Sequence, residues 1–205
     1  MANLITLIRF PLLFVYVALL YSENPTVIFW CVPFIILISV LDAVDGLIAR
    51  ALGEVSLLGS VLDIATDRTL EMVLWVVFAH IGLIPVIIPL LVIARGTTVD
   101  AVRAVGMRDG KRAFDQVQHP ISRFLVSSRF MRDTYGIAKG AAFGLLTLTL
   151  ALQVDGSSWS EILHLISLIV TWVCVIMMIL RGLPVLIEGY SLLKETPSNT
   201  KDTET

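Results

Sequence analysis

Basic residues sit at one end of each apolar run in this chain, and that pattern limits the possible folds more than any other feature. All 15 Lys and Arg residues fall at or beside alternate ends of the apolar stretches. The connections on the opposite side, near Ser22–Thr26, His80–Pro85 and Gln153–Glu161, hold no basic residue. Loops rich in Lys and Arg stay on the cytoplasmic side of a membrane. The asymmetry therefore predicts cytoplasmic termini and an even number of crossings. Several runs approach or exceed the roughly 20 helical residues that span a bilayer. With 57% hydrophobic residues among 205 and a mean hydropathy of +0.87, no soluble core of this size could hide the apolar surface. The expected fold is all-α, a polytopic cell-membrane protein with six transmembrane helices over residues 1–190. A polar tail, 191–205, is expected to be disordered.

The spans read as Leu4–Tyr21, Thr26–Arg50, Leu57–Ile81, Leu83–Val105, Thr134–Leu152 and Trp159–Gly189. Arg9, near the cytoplasmic start of the first, is expected to snorkel towards water. Gly53 is a plausible helix C-cap in the short turn Leu52–Ser56. The longest cytoplasmic connection, Gly106–Asp133, carries Arg108, Lys111, Arg112, Arg123, Arg129 and Arg132. The first run has little basic character before it and no clear cleavage site, so it reads as a span and not a signal peptide. Cys31 and Cys174 lie inside apolar segments and read as small hydrophobes. No nucleic-acid partner is expected.

Within this apolar chain, LDAVDGLIARALGEVSLLGSVLDIATDR, from Leu41 to Arg68, gathers four carboxylates. Asp42 and Asp45 are three apart at the cytoplasmic end of span two, and Asp63 and Asp67 are four apart at the start of span three. Each pair shares a helix face, and the short turn makes the two helices antiparallel neighbours. Each carboxylate costs about 2.5–3.5 kcal/mol at the middle of a membrane, so four together need compensating charge. Hard divalent cations suit carboxylate oxygen, and two of them can clamp phosphoryl oxygens. Gly46 and Gly59 cost helix stability but let a ligand approach the backbone, and Arg50 could grip a diphosphate. The plainer alternative is a pair of interfacial salt bridges, Asp45 with Arg50 and Asp67 with Arg68.

Written as DxxDGxxARx8GxxxDxxxD, the stretch resembles the signature of the CDP-alcohol phosphatidyltransferases, six-span enzymes of phospholipid synthesis. The matching positions are Asp42, Asp45, Gly46, Ala49, Arg50, Gly59, Asp63 and Asp67. The resemblance implies two divalent cations, Mg2+ or Mn2+, held by the four aspartates, with Asp67 as general base. It places Gly46, Ala49, Arg50 and Gly59 on the CDP part of a CDP-diacylglycerol donor. It also implies a polyol or polyol-phosphate acceptor, membrane lipid around the protein, a homodimer, and an active site at the cytoplasmic face.

For the acceptor the chain points two ways. The ending TDR, with the later run from Asp115 through Pro120 and Arg123 to Ser128–Arg129, resembles the phosphatidylinositol synthases. IARGTTVDAVR, from Ile93 to Arg103, resembles the phosphatidylglycerophosphate synthases, though Gly96 replaces a Glu. An arginine inside span four is expensive unless it faces a polar cavity, so Arg95 is expected to meet an acceptor phosphate, with Arg103, Arg129 and Lys139. The alternative is that Arg95 only neutralises an aspartate or snorkels to lipid headgroups. The expected acceptor is glycerol 3-phosphate, with inositol phosphate or free inositol as the alternative.

Two further classes compete: a transporter with intramembrane carboxylates, and a lipid-nucleotide binder without turnover. Transporters place such charges near the midplane, whereas these gather at one end. His80, His119 and His164 lack the spacing of a metal or triad site. Trp30, Trp75, Trp159 and Trp172 read as interfacial anchors or packing residues. Glu71, one turn beyond Asp67, reads as structural.

Overall fold

A computed structural model describes the backbone of residues 2–51, 57–108 and 128–195, and the side chains of 6–41, 59, 61–102, 128 and 130–187. Among the described residues there are six α-helices and no strand: α1 (Ala2–Leu20), α2 (Pro25–Ala51), α3 (Leu57–Ile81), α4 (Ile87–Arg108), α5 (Arg129–Asp155) and α6 (Ser160–Glu195). The Gly53 turn and the expected disorder of 196–205 lie outside the described residues.

Local chemistry explains the boundaries. Pro25 opens α2 at a position where its missing N–H costs nothing, while Asn24 Oδ1 accepts from the Thr26 N–H at 3.0 Å. Gly82 (φ 88°) ends α3: its N–H reaches Ala79 O, and the Leu83 N–H reaches Phe78 O at 3.0 Å. Gly156 (φ 73°) closes α5 the same way, with Gly156 N–H to Gln153 O and Ser157 N–H to Leu152 O. Both positions need the left-handed region that glycine enters without strain. Ser128 caps α5, its hydroxyl accepting from the Met131 N–H. That cap starts the helix at Arg129, ahead of the expected Thr134, so Arg129, Arg132 and Asp133 are helical and not part of the connection. At its other end α6 continues to Glu195, into the stretch expected to be tail.

The helices close into a ring. α1 packs on α2 and α3, α2 on α5, α5 on α6, α6 on α4, and α4 on α3. Across this ring the side chains of α3 and α5 meet in a ladder whose two polar rungs cross. Asp67 meets Lys139, Glu71 meets Tyr135, and Trp75 packs on Phe143 with ring centroids 4.7 Å apart. Phe78 stacks on Phe143 from the next turn, at 6.0 Å. The two helices run the same way, so the ladder is polar at its N-terminal end and aromatic further along. Tyr16 of α1 joins it by a hydrogen bond to Thr147. Trp75 is thus a core residue, whereas Trp30 and Trp159 are exposed near helix ends.

Arg9 departs from expectation. It is only 2% exposed and points inward, 3.7 Å from Asp63, instead of snorkelling out. The carboxylate across the α1–α3 contact holds it there.

By length and composition, Phe130–Asp155 and Ser160–Ile187 are long and apolar enough to cross a membrane. Thr6–Leu20 and Pro25–Leu41 are apolar but shorter among the described residues. α3 and α4 interrupt their apolar runs with Asp63, Asp67, Arg68 and Glu71, and with Arg95 and Asp100.

Phe143 holds the aromatic half of the ladder together, so Phe143→Ala should cost about 3–5 kcal/mol. The expected outcome is a clearly lower melting temperature in detergent, with no change in helix content at low temperature.

Candidate active site

The first half of α3 repeats acidic side chains every four residues, and each meets at least one cation. Asp63 faces Arg9 of α1. Asp67 Oδ1 accepts from Lys139 Nζ of α5 at 3.2 Å. Glu71 is the most enclosed: its side chain is 3% exposed, against 43% for Asp67. Its Oε1 accepts from the Tyr135 hydroxyl. Its Oε2 lies 3.5 Å from Arg68 Nη1 and 3.7 Å from Lys139 Nζ. Arg68 then extends to Asp100 of α4, with Nε 3.3 Å from Oδ2. A carboxylate this deep is tolerated because one oxygen is hydrogen-bonded and the other is paired with two cations.

A cleft of about 670 Å³ opens beside this network, between α1, α2, α3 and α5. Arg9, Ser39, Asp67, Arg132, Asp133, Tyr135 and Lys139 make its polar lining, and Ile35, Ile36, Val40, Leu70, Ile137 and Phe143 supply apolar walls. Ile36, Val40 and Ile137 are exposed, so the apolar wall continues onto the outer surface of the helices. A cavity with a charged end and an apolar flank suits an amphiphile.

On the other side of the ladder lies a cationic patch. Arg95 of α4 runs against Gly182 of α6, where a Cβ would stand 2.6 Å from Arg95 Nε. One residue earlier, Arg181 sets its guanidinium 5.5 Å from the Tyr135 ring centroid and donates from Nη1 to Met131 O at 3.4 Å. Its buried Nε has no hydrogen-bond partner among the described residues. Arg95, Arg132 and Arg68 lie within electrostatic reach of it.

The structure thus brings together Asp63, Asp67 and Lys139, and sets Gly59, half-buried, one turn before Asp63. Arg95 occupies the α4–α6 side, away from the lining of the cleft. Asp42, Asp45, Gly46, Ala49 and Arg50 fall on the helical C-terminal end of α2, but their side chains lie outside the described residues. So do the side chains of Arg103, on α4, and Arg129, at the start of α5. Their convergence with α3, and the Asp45–Arg50 pair, are therefore not described. The alternative pairing of Asp67 with Arg68 is not the one formed: Arg68 turns to Glu71 and Asp100, and Asp67 takes Lys139.

Sequence reasoning missed Tyr135 and Arg181 and misread Arg9. The rule that singled out Arg95, that a cation inside an apolar helix needs a polar reason, applies equally to Arg181. Nothing in the local spacing of Tyr135 marks it.

A profile of the CDP-alcohol phosphatidyltransferase family matches residues 1–180. The chain belongs to this family. Proteins of Mycobacterium bovis and of two strains of Mycobacterium tuberculosis, named "Putative cardiolipin synthase", are 38% identical to it over 85 residues. That match covers 40% of this chain and spans 39% of the relatives' length. Family membership makes the chain a membrane-associated protein of phospholipid biosynthesis.

Members of the family generally use divalent metal ions. Asp63 and Asp67 have the chemistry for one: hard oxygen donors, one helical turn apart, both partly exposed. Among the described residues no third carboxylate, imidazole or thiol completes a metal-binding group. The remaining expected donors, Asp42 and Asp45, are those whose side chains lie outside them.

Removing the Tyr135 hydroxyl would leave a buried Glu71 oxygen short of a donor, which costs about 1–3 kcal/mol. Tyr135→Phe should therefore lower the melting temperature while keeping the ring contact with Arg181.

Proposed function

We propose that this protein transfers the phosphatidyl group of CDP-diacylglycerol to the hydroxyl of a phosphate-bearing glycerol and releases CMP. It works as a six-span membrane domain with its termini and active site at the cytoplasmic face. The observation that carries the reading is the placement of Asp67. This carboxylate is fixed by Lys139 at the charged end of an amphiphilic cleft, with a cationic patch on the opposite side of the same two helices.

In the reaction, Asp67 takes the proton from the acceptor hydroxyl as that oxygen bonds to the β-phosphorus. The phosphoanhydride bond to CMP breaks, and CMP leaves with the electron pair. Asp42, Asp45, Asp63 and Asp67 would hold two divalent cations, Mg2+ or Mn2+, which supply positive charge to the phosphoryl oxygens. Gly46, Ala49, Arg50 and Gly59 receive the cytidine diphosphate, and the apolar flank of the cleft receives an acyl chain. Such transfers depend on positioning and electrostatics more than on covalent chemistry.

The acceptor phosphate belongs on the cationic side. Arg95 and Arg181 are its first contacts, with Arg103 and Arg129 from the same end of α4 and α5. Lys139 already serves Asp67 and Glu71 and acts at the junction of the two sides. Glycerol 3-phosphate fits this arrangement. A second reading, phosphatidylglycerol as acceptor, is favoured by the exposed apolar wall of the cleft and by the name carried by the mycobacterial relatives. Cardiolipin has two phosphatidyl groups on one glycerol, so making it from CDP-diacylglycerol requires a lipid acceptor. Both acceptors present a free hydroxyl and a phosphate on one glycerol. Inositol phosphate and free inositol are the competing acceptors.

The test is CMP release by the purified protein with CDP-diacylglycerol and Mg2+, offering glycerol 3-phosphate, phosphatidylglycerol, inositol 1-phosphate and inositol separately. Turnover with either glycerol compound and not with inositol is expected. Turnover with inositol alone would overturn the assignment of the cationic patch, and no metal-dependent release with any of them would overturn the transferase reading. Asp67→Asn should lower kcat about 100- to 10,000-fold, the range of a lost general base.

Gly182→Ala tests the patch by another route, because the new methyl displaces Arg95 Nε without altering a charge. Loss of one charged hydrogen bond, about 1.5 kcal/mol, should raise KM for the phosphate-bearing acceptor roughly tenfold. KM for CDP-diacylglycerol should hold.

A further inference from the structure

Glu71 is not itself part of the cleft's lining, yet described side chains of the site converge on it, two of them lining residues. Tyr135 donates to one of its oxygens, and Arg68 and Lys139 lie beside the other. Through Lys139 it reaches Asp67. The Lys139 ammonium stands between two carboxylates, 3.2 Å from Asp67 Oδ1 and 3.7 Å from Glu71 Oε2. It is itself nearly enclosed, at 13% exposure.

This geometry decides how strongly Lys139 holds Asp67. A lone ammonium beside a single carboxylate in a medium of low polarity forms a tight pair and draws the carboxylate towards itself. A second carboxylate on the far side divides that attraction. Lys139 then fixes Asp67, a residue of the cleft's lining, through Oδ1, and its second oxygen is not drawn into the pair. Glu71 is suited to the task because it cannot swing away: Tyr135 anchors it from α5, and Arg68, tied to Asp100 of α4, braces it from its own helix.

We propose that Glu71 is a positioning residue. By sharing Lys139 with Asp67, it keeps one Asp67 oxygen available to a divalent cation and to the acceptor proton. The inference rests on the transferase reading and goes beyond it by assigning a role to a carboxylate outside the family pattern of aspartates. A purely architectural Glu71 would tie α3 to α5 and have no specific influence on Asp67.

A double-mutant cycle separates the two. Wild type, Glu71→Gln, Lys139→Met and the double variant are purified in detergent as full-length chains. Mn2+ affinity is measured from the free-ion paramagnetic resonance signal, which needs no turnover, and kcat is measured beside it. Glu71→Gln has the shape of the native side chain and can still accept from Tyr135, but of the two carboxylates that share Lys139 it leaves Asp67. Mn2+ binding should weaken about fivefold or more, the scale of coupling between contacting residues, with kcat falling in parallel. In the Lys139→Met background the same substitution should change Mn2+ affinity less than about twofold.

Equal weakening in both backgrounds would mean that Glu71 acts by its own charge or by architecture, and it would overturn the inference. So would a Glu71→Gln protein that binds Mn2+ as wild type does. Should Glu71→Gln fail to fold, the cycle is run with Glu71→Asp, whose shorter carboxylate loosens the hold on Lys139 while keeping the charge. Coupling to Lys139→Met is expected there too, and additivity overturns the inference. A wild-type protein that neither binds Mn2+ nor releases CMP would instead overturn the transferase reading, and the inference with it.

Discussion

Charged groups inside an apolar helix bundle must find one another, and in this protein that requirement organises the interior. Within nine residues α3 carries Asp63, Asp67, Arg68 and Glu71. Each would be costly alone, and together they are met from three helices: Arg9 from α1, Lys139 and Tyr135 from α5, Asp100 from α4. Three helices are thereby fixed in rotation about α3, and the order of the ring brings α5 opposite it. The aromatic rungs, Trp75 and Phe78 on Phe143, extend the α3–α5 contact by packing alone. Removing one partner of such a network costs more than the pair contributes, because the survivor keeps a buried charge.

The α3–α5 ladder also divides the site. On its α1–α2 side the cleft combines charge with an apolar flank, as a lipid nucleotide needs. On its α4–α6 side lie the guanidinium groups of Arg95 and Arg181, one turn from a small apolar cluster of Val99 and Val185. In the proposed reaction the two substrates approach from the two sides, and the hydroxyl meets the phosphorus where the ladder ends, at Asp67. Lys139 and Tyr135 belong to both sides at once. Changes on one side can therefore be felt on the other without any helix moving.

Much of this was legible in the sequence. The alternation of basic and non-basic connections and the apolar runs gave the helical elements, α3 to the residue. The spacing of Asp63 and Asp67 put both on one face, and the family signature followed from eight positions. Pairing across the ring was not legible. Asp67 and Lys139 are 72 positions apart, and no local period records which of several basic residues will face a given carboxylate. Arg9 illustrates this: near a helix start, snorkelling and burial against Asp63 look alike until α1 is docked. The early start of α5 was readable in principle, since Ser128 is a good N-cap, but the basic residues around it suggested a loop.

The ladder has a consequence for how the chain is made. Its polar rungs join a helix completed by Ile81 to one that begins at Arg129. While α3 is leaving the ribosome, Lys139 and Tyr135 do not yet exist, so Asp67 and Glu71 have no α5 partners to meet. A helix in that condition is a poor candidate for early release into lipid. The pairing is therefore tied to the order of translation: Asp67 meets its counter-charge and Glu71 its hydroxyl donor only when the fifth helix has been synthesised.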